Sequence, residues 1–251
     1  MNNNMGARMV NTMKGVIIAA GEGSRFGNIT YNKPKPLIEL DGKPIIEWVM
    51  DALMSGGVDS FVIVVGYLGN KIIKKLGENY NEADITFVNN KNWKLGNLTS
   101  LYSARELVNE EFILSMSDHL FDPAIVRDLI KVKSQTTVLL GVDRKYQQTE
   151  DDMKVLIDSH KHILNIGKKI FGNFVDIGLF KLKPKIFEYS KGAIDENKFQ
   201  LYQSILKAAK NKDAMAYDIS RRFWIDIDTP EELESYYVQK FPEFIKKRKW
   251  D

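Results

Sequence analysis

The sequence predicts an α/β fold in one domain, with a mostly parallel, mixed central sheet flanked by helices. Two observations carry that prediction. From Lys14 onward, short β-branched runs alternate with segments whose apolar residues recur at helical spacing, a pattern that covers a parallel sheet on both faces. A chain of 251 residues, 44% of them hydrophobic, is also long enough to bury one substantial core, and its length does not demand a second.

Taken in order, residues 1–13 (MNNNMGARMVNTM) are polar and irregular and are expected to form a disordered leader before a domain spanning 14–251. The apolar run that follows is too short for a signal-peptide core or a membrane span, so a cytoplasmic protein is expected. Val16, Ile17 and Ile18 followed by Ala19 and Ala20 read as a buried strand. Gly21 and Gly23 then allow a sharp turn whose exposed amides suit phosphate oxygens, and Arg25 adds a charged fork beside them. A lone G-x-G serves equally well as a structural turn. The P-loop pattern is absent, and the dinucleotide fingerprint fails because Phe26 occupies its third glycine. The next strand, FVIVVGY, ends in Gly66 and Tyr67 rather than an acid, which argues further against NAD.

Pro34 and Pro36 restrict the backbone around Lys35 and bias it toward an extended conformation, so its charge is expected at a defined place. The segment PIIEWVMDALMSGG puts Ile45, Ile46, Val49, Ala52 and Leu53 on one helical face and ends at Gly56 and Gly57. VDSFVIVVGY reads as a strand, NKIIKKLGENY as a helix, ADITFVNN as a strand, LTSLYSARELV as a helix and EFILSMSD as a strand. PAIVRDLIKVK is followed by three strand-like runs, TTVLLGVDRK, MKVLID and FVDIGLFKL, which predict a mixed-sheet section with turns at SHKH and GKK. ENKFQLYQSILKAAKNK and the tail from Pro230 return to helical spacing.

Ligands in such sheets gather beyond the carboxyl ends of the strands, and Asp118 falls at one. An acid there needs solvent, a helix N-terminus or a cation. His119 is read as a packed, hydrogen-bonded residue. In FWIDIDTPEEL, strand alternation turns Trp224, Asp226 and Asp228 one way and Phe223, Ile225 and Ile227 the other. Thr229, Pro230 and Glu232 form a capping-box pattern, so Asp228 is assigned to the positive helix end. Asp226 has no such local explanation.

These residues resemble a family. VIIAAGEGSRFG followed by KPKPLIELDGKPIIEWVMDAL is similar to the sugar-phosphate nucleotidyltransferases of the GT-A-like, Rossmann-like α/β fold, whose signature is G-x-G-[ST]-R and a downstream Pro-Lys-Pro. The resemblance continues through SMSDHLF and FWIDIDTPEEL, and within the family SMSDHLF and NLTSLYSARE look most like the inositol-1-phosphate cytidylyltransferases. It implies Mg²⁺-dependent transfer of a cytidylyl group from CTP to inositol 1-phosphate, giving CDP-inositol and pyrophosphate for a separate membrane enzyme. It further implies Arg25 and Lys35 on the triphosphate, Asp118 and Asp226 on Mg²⁺, and Ala19, Ala20, Gly21, Glu22, Gly23, Ser24, Gly66, Asn97 and Ser100 around the nucleotide. Asn97 and Thr99 serve equally well as helix caps. For the acceptor, Lys154 and Lys168 are the candidate phosphate ligands, and Asp143 and Asp176 the candidate hydroxyl partners.

Composition closes off other classes. The absence of cysteine excludes disulfides and thiolate chemistry, and a net charge of +3 is too small to argue for nucleic acid. The basic KKRKW near the C-terminus reads as a solvated helix end. Three alternatives stay open: a choline-phosphate cytidylyltransferase, a hexose-1-phosphate uridylyl- or thymidylyltransferase, and a catalytically silent nucleotide sensor. The first would want an aromatic acceptor pocket, and the last would be expected to lose a metal carboxylate.

Overall fold

A computed structural model of the protein describes residues 13–144 and 148–239. Residues 1–12 of the expected leader and the basic C-terminal run lie outside that range. Met13 belongs with the domain: it is buried in the core, and its N–H donates to the Asp59 carboxylate.

The first strand, β1 (Lys14–Ala19), is buried over its last five residues, as a β-branched run flanked on both sides requires. A small hairpin, β2 (Glu39–Leu40) and β3 (Lys43–Pro44), leads into α1 (Ile45–Gly56), which ends on Gly57 in the left-handed region (φ 111°). That glycine stop was expected, and the five apolar positions assigned to one face are all buried. β4 (Ser60–Val65), α2 (Gly69–Leu76), the short β5 (Asn79–Tyr80) and β6 (Ala83–Asn89) follow. Next come α3 (Asn97–Ser103), β7 (Phe112–Met116), β8 (His119–Phe121) and α4 (Pro123–Lys131). The helix expected over LTSLYSARELV is shorter than its pattern, because a separate 3₁₀ turn occupies Arg105–Leu107.

The second half contributes β9 (Val138–Asp143), β10 (Lys154–Ile157), β11 (Ile163–Gly167) and β12 (Phe174–Leu182). α5 (Ile186–Ile194) and α6 (Leu201–Lys210) precede β13 (Ala214–Asp218), β14 (Trp224–Asp226) and α7 (Pro230–Gln239). Sequence reasoning anticipated neither β11 nor α5.

Among the described residues the strands assemble into one ten-stranded mixed sheet and two small ribbons. Its middle, β7-β1-β4-β6, is parallel, with Ala19 opposite Val65 and Ile18 opposite Met116. The carboxyl ends of β1, β4 and β7 therefore lie side by side. β12 joins β7 antiparallel and carries β10 and β9, and β13 adds parallel to β9. β12 is interrupted between Asp176 and Phe180, where Gly178 takes φ 70°. The β8–β14 ribbon pairs Asp226 with His119, which brings residues more than a hundred positions apart to one place.

Asp213 pins the outer strands to α5. Its carboxylate accepts from the Thr137 N–H and hydroxyl, the Tyr189 hydroxyl and the Lys185 ammonium. Burial alone would raise its pKa, but the bonds from Thr137, Lys185 and Tyr189 outweigh it and hold the carboxyl at about 2. A pKa held below that of the unfolded chain gives stability that is full above about pH 4 and is lost as pH falls toward 2. The expected contribution at neutral pH is on the order of 2 kcal/mol. Asp213→Asn should remove it and flatten the melting temperature between pH 4 and pH 2, as read by circular dichroism. An unchanged acid limb in the variant would contradict this assignment.

Candidate active site

The loops leaving β1, β4 and β7 carry the site, and the first is shaped by its glycines. Gly23 sits in the left-handed region (φ 66°), and a side chain there would meet the Lys35 Cβ at 2.8 Å. Gly21, expected to share that conformation, is not left-handed; it faces open space, and it is exposed. The Gly23 carbonyl accepts from the Phe26 N–H and the Thr30 hydroxyl, which closes the loop on itself. Ala19 and Ala20 are buried beneath it, and Glu22 and Ser24 are exposed on its surface. The Ala20 carbonyl accepts from the Tyr67 N–H, so the loops after β1 and β4 are tied together. At Gly66 a methyl would come within 2.8 Å of that same carbonyl and of Trp93, so only glycine allows this approach.

Lys35 is buried, but its backbone is not extended. Lys35–Leu37 form a 3₁₀ turn closed by Leu37 N–H to the Pro34 carbonyl and Ile38 N–H to the Lys35 carbonyl. The two turn bonds outweigh the local bias of a residue before proline. Its ammonium reaches Asp118 Oδ2 at 2.5 Å and Asp228 Oδ1 at 2.7 Å, and Arg25 holds the other oxygen of Asp228 at 2.7 Å. Burial works against the charge on Lys35, but the two carboxylates outweigh it and raise its pKa. Burial likewise works against Asp118, yet Lys35 and His119 hold its carboxyl far below the ordinary range.

Asp228 is therefore misassigned by its local context. The capping box forms as expected, with the Glu232 carboxylate accepting from the Asp228 and Thr229 N–H groups and Thr229 accepting from the Glu232 N–H. The Asp228 side chain turns away from that helix end and joins the two cations instead.

His119 Nδ1–H donates to the ionised Asp118 Oδ1, 2.7 Å away, and its ring stacks on Trp224 with centroids 6.5 Å apart. Burial would depress its pKa, but the Asp118 hydrogen bond and the nearby Asp226 and Asp176 carboxylates raise it to about 9. Asp176 is itself pushed up to about 6 by burial, reinforced by Asp226.

One cleft collects Arg25, Asn97, Asp118, Lys168, Asp176 and Asp226 of the predicted residues, together with Asp228. It also collects groups that sequence reasoning had not assigned to a site: His119, Asp151, Asp152, Gln200, Tyr202 and Trp224. Of these, Trp224 had one legible signal, its alternation with Asp226 and Asp228.

Three predicted residues are committed elsewhere. Ser100 is 2% exposed and, like Thr99, accepts from the Asn90 amide, which locks α3 to the end of β6. Asp143 lies outside the cleft wall and accepts from the Trp224 indole and the Arg144 and Arg221 N–H groups. The Lys154 ammonium donates to the Lys168 carbonyl. Asn97 lines the cleft but does not cap its own helix; its side-chain oxygen accepts from the Leu201 N–H at the start of α6. Two phenylalanines of the second half, Phe171 and Phe174, lie outside the cleft wall: Phe174 is buried and Phe171 is 83% exposed.

Residues 15–162 match the MobA-like NTP transferase domain family. The chain is 33% identical over 222 residues, covering 87% of its length, to the bifunctional IPC transferase and DIPP synthase of Aquifex aeolicus. It spans about half the length of that protein and of the similar bifunctional relatives it matches. The solved inositol-1-phosphate CTP transferase from T. maritima superposes with a TM-score of 0.79 at 29% identity, covering 90% of this chain and 94% of that one. A UDP-glucose pyrophosphorylase complexed with UDP-glucose superposes with a TM-score of 0.80 at 21% identity, covering 94% of this chain and all of that one. At that identity the second match speaks for the fold alone.

Proposed function

The chain belongs to the MobA-like NTP transferase domain family, and from that premise we propose that it joins CTP to inositol 1-phosphate, giving CDP-inositol and pyrophosphate. The observation that carries this reading is the convergence of Arg25, Lys35, Asp118, Asp226 and Asp228 beyond the carboxyl ends of β1 and β7.

Phosphoryl chemistry of this kind is mostly positioning and charge neutralisation. An oxygen of the acceptor's phosphate forms a bond to the α-phosphorus as the bond to the β-phosphate breaks, and pyrophosphate leaves with the electron pair. Arg25 and Lys35 bind the triphosphate oxygens, which lets them exchange carboxylate partners for phosphate. The Gly21 to Gly23 backbone lets the phosphates approach closely. Lys168 faces the acceptor's phosphate, and Asp176 takes a hydroxyl of the ring.

The donor set suits Mg²⁺. Asp118 and Asp226 offer hard oxygens to one cleft. No group of three or more His, Asp or Glu among those residues could hold an ion unaided, which fits a metal completed by water and phosphates. Mg²⁺ held there would offset charge on the α-phosphoryl and the leaving group. Among the described residues no helix is long and apolar enough to cross a membrane. In this proposal a separate membrane enzyme consumes the product.

A second reading has one observation in its favour. Trp224 and Tyr202 line the cleft beside Asp151, Asp152 and Asp176, and aromatic faces with carboxylates also suit a quaternary ammonium. Incubation with CTP, Mg²⁺ and either inositol 1-phosphate or phosphocholine, with the product identified by mass, separates the two. CDP-inositol is expected. CDP-choline alone would transfer the function to the second reading.

A further inference from the structure

We infer that His119 is a positioning residue, held in a purpose-built seat to fix the carboxylate of Asp118. This rests on the reading of Asp118 as a ligand of the reaction's metal.

The seat has three sides. Below the ring, β12 breaks its ladder at Gly178, whose left-handed backbone (φ 70°) and missing side chain make the room. A methyl at Gly178 would lie 2.7 Å from His119 Nε2 and closer still to Cδ2, so no other residue leaves space for the imidazole. The Trp224 ring stacks on it at 18°. Trp224 is itself fixed, because its indole N–H donates to Asp143 Oδ2 at 2.9 Å. That gives Asp143 a place two steps behind the site. The third side is the β8–β14 ribbon, which pairs the His119 backbone with Asp226.

So held, His119 can present only Nδ1 to Asp118 Oδ1, at 2.7 Å. The bond leaves Asp118 Oδ2 aimed at the Lys35 ammonium. Carboxylate ligands are commonly oriented by such outer hydrogen bonds, and removing one typically costs about 10–100-fold in affinity or activity. A bulged strand, a left-handed glycine and a fixed indole converge on one imidazole, and the bulge is closed locally by the Gly178 N–H donating to Asp176 Oδ1 at 2.7 Å.

The test compares His119→Leu, His119→Asn and Gly178→Ala. Asparagine puts an amide N–H where Nδ1 stands, without the ring or its charge. His119→Leu is expected to lose about 10–100-fold in kcat for pyrophosphate release, with little change in nucleotide KM. Gly178→Ala should show the same loss while His119 is intact, because the methyl evicts the ring. His119→Asn should recover most of the loss. Wild-type kcat in His119→Leu, or equal damage in His119→Asn and His119→Leu, would overturn the inference. Binding of Mn²⁺ alone, followed by electron paramagnetic resonance, separates it from the substrate assignment. Weaker Mn²⁺ binding in His119→Leu but not in His119→Asn supports the positioning role even if the wild type makes no CDP-inositol. Turnover by the wild type with both readouts unmoved in His119→Leu rejects that role and leaves the substrate assignment standing.

Discussion

Lys35→Ala is expected to lower kcat/KM for the nucleotide by about two to four orders of magnitude, equivalent to roughly 3–5 kcal/mol of transition-state binding. The size follows from how the ammonium is held. It is nearly buried, it bridges Asp118 and Asp228, and Gly23 packs directly on its stem. Its position is therefore set before substrate arrives, so little freedom is lost on binding phosphate. The same geometry predicts a second effect. Alanine leaves two carboxylates facing each other with no charge between them, which should cost on the order of 3 kcal/mol of stability. Melting curves and kinetics measured together separate the two losses. Lys33→Ala is the control, because Lys33 pairs with Glu39 at the surface and should change neither. Normal nucleotide kinetics in Lys35→Ala would remove the phosphate role from this lysine.

Asp118→Asn and Asp226→Asn should each abolish Mg²⁺-dependent turnover while the protein stays folded, since each removes a charge and almost no volume. The two should differ in their side effects. Asp118 is bound to Lys35 and His119, so its loss leaves the lysine held by Asp228 alone, whereas Asp226 acts on His119 and Asp176 through its charge rather than through a hydrogen bond. Asp228→Asn is the informative third variant. Local context assigns Asp228 to the helix end and predicts a small effect, but its carboxylate holds Arg25 and Lys35 together. It should raise the nucleotide KM and retain measurable kcat. If Asp226→Asn kept near-normal activity while Asp228→Asn were inactive, the metal-ligand assignment would be reversed.

Local chemistry made much of this legible. The β-branched runs of β1 and β4, the glycine stop of α1 and the capping box of α7 are each specified within a dozen residues, and each formed where expected. Alternation also put Trp224, Asp226 and Asp228 on one side, and all three line the cleft. What was not legible depends on partners distant in the chain. Ser100 looks like a binding residue until Asn90 takes its hydroxyl, Asp143 until Trp224 does, and Lys154 until it finds the Lys168 carbonyl. His119 reads as an ordinary packed histidine because its seat is built by Gly178 and Trp224, from two other strands. α5 was missed because it is only nine residues long and carries Lys191 and Gly192 within it, and packing on α6 supplies what the pattern lacks.

The central claim is that this cleft transfers the α-phosphoryl of a nucleotide to a phosphorylated acceptor. Incubating the protein with inositol 1-phosphate and CTP labelled in parallel at the α- or the γ-phosphate tests it directly. The account predicts that the α-label moves into a CDP-linked product while the γ-label leaves only as pyrophosphate, in equal amount and with none on the protein. Release of the γ-label as orthophosphate without a CDP-linked product would contradict it.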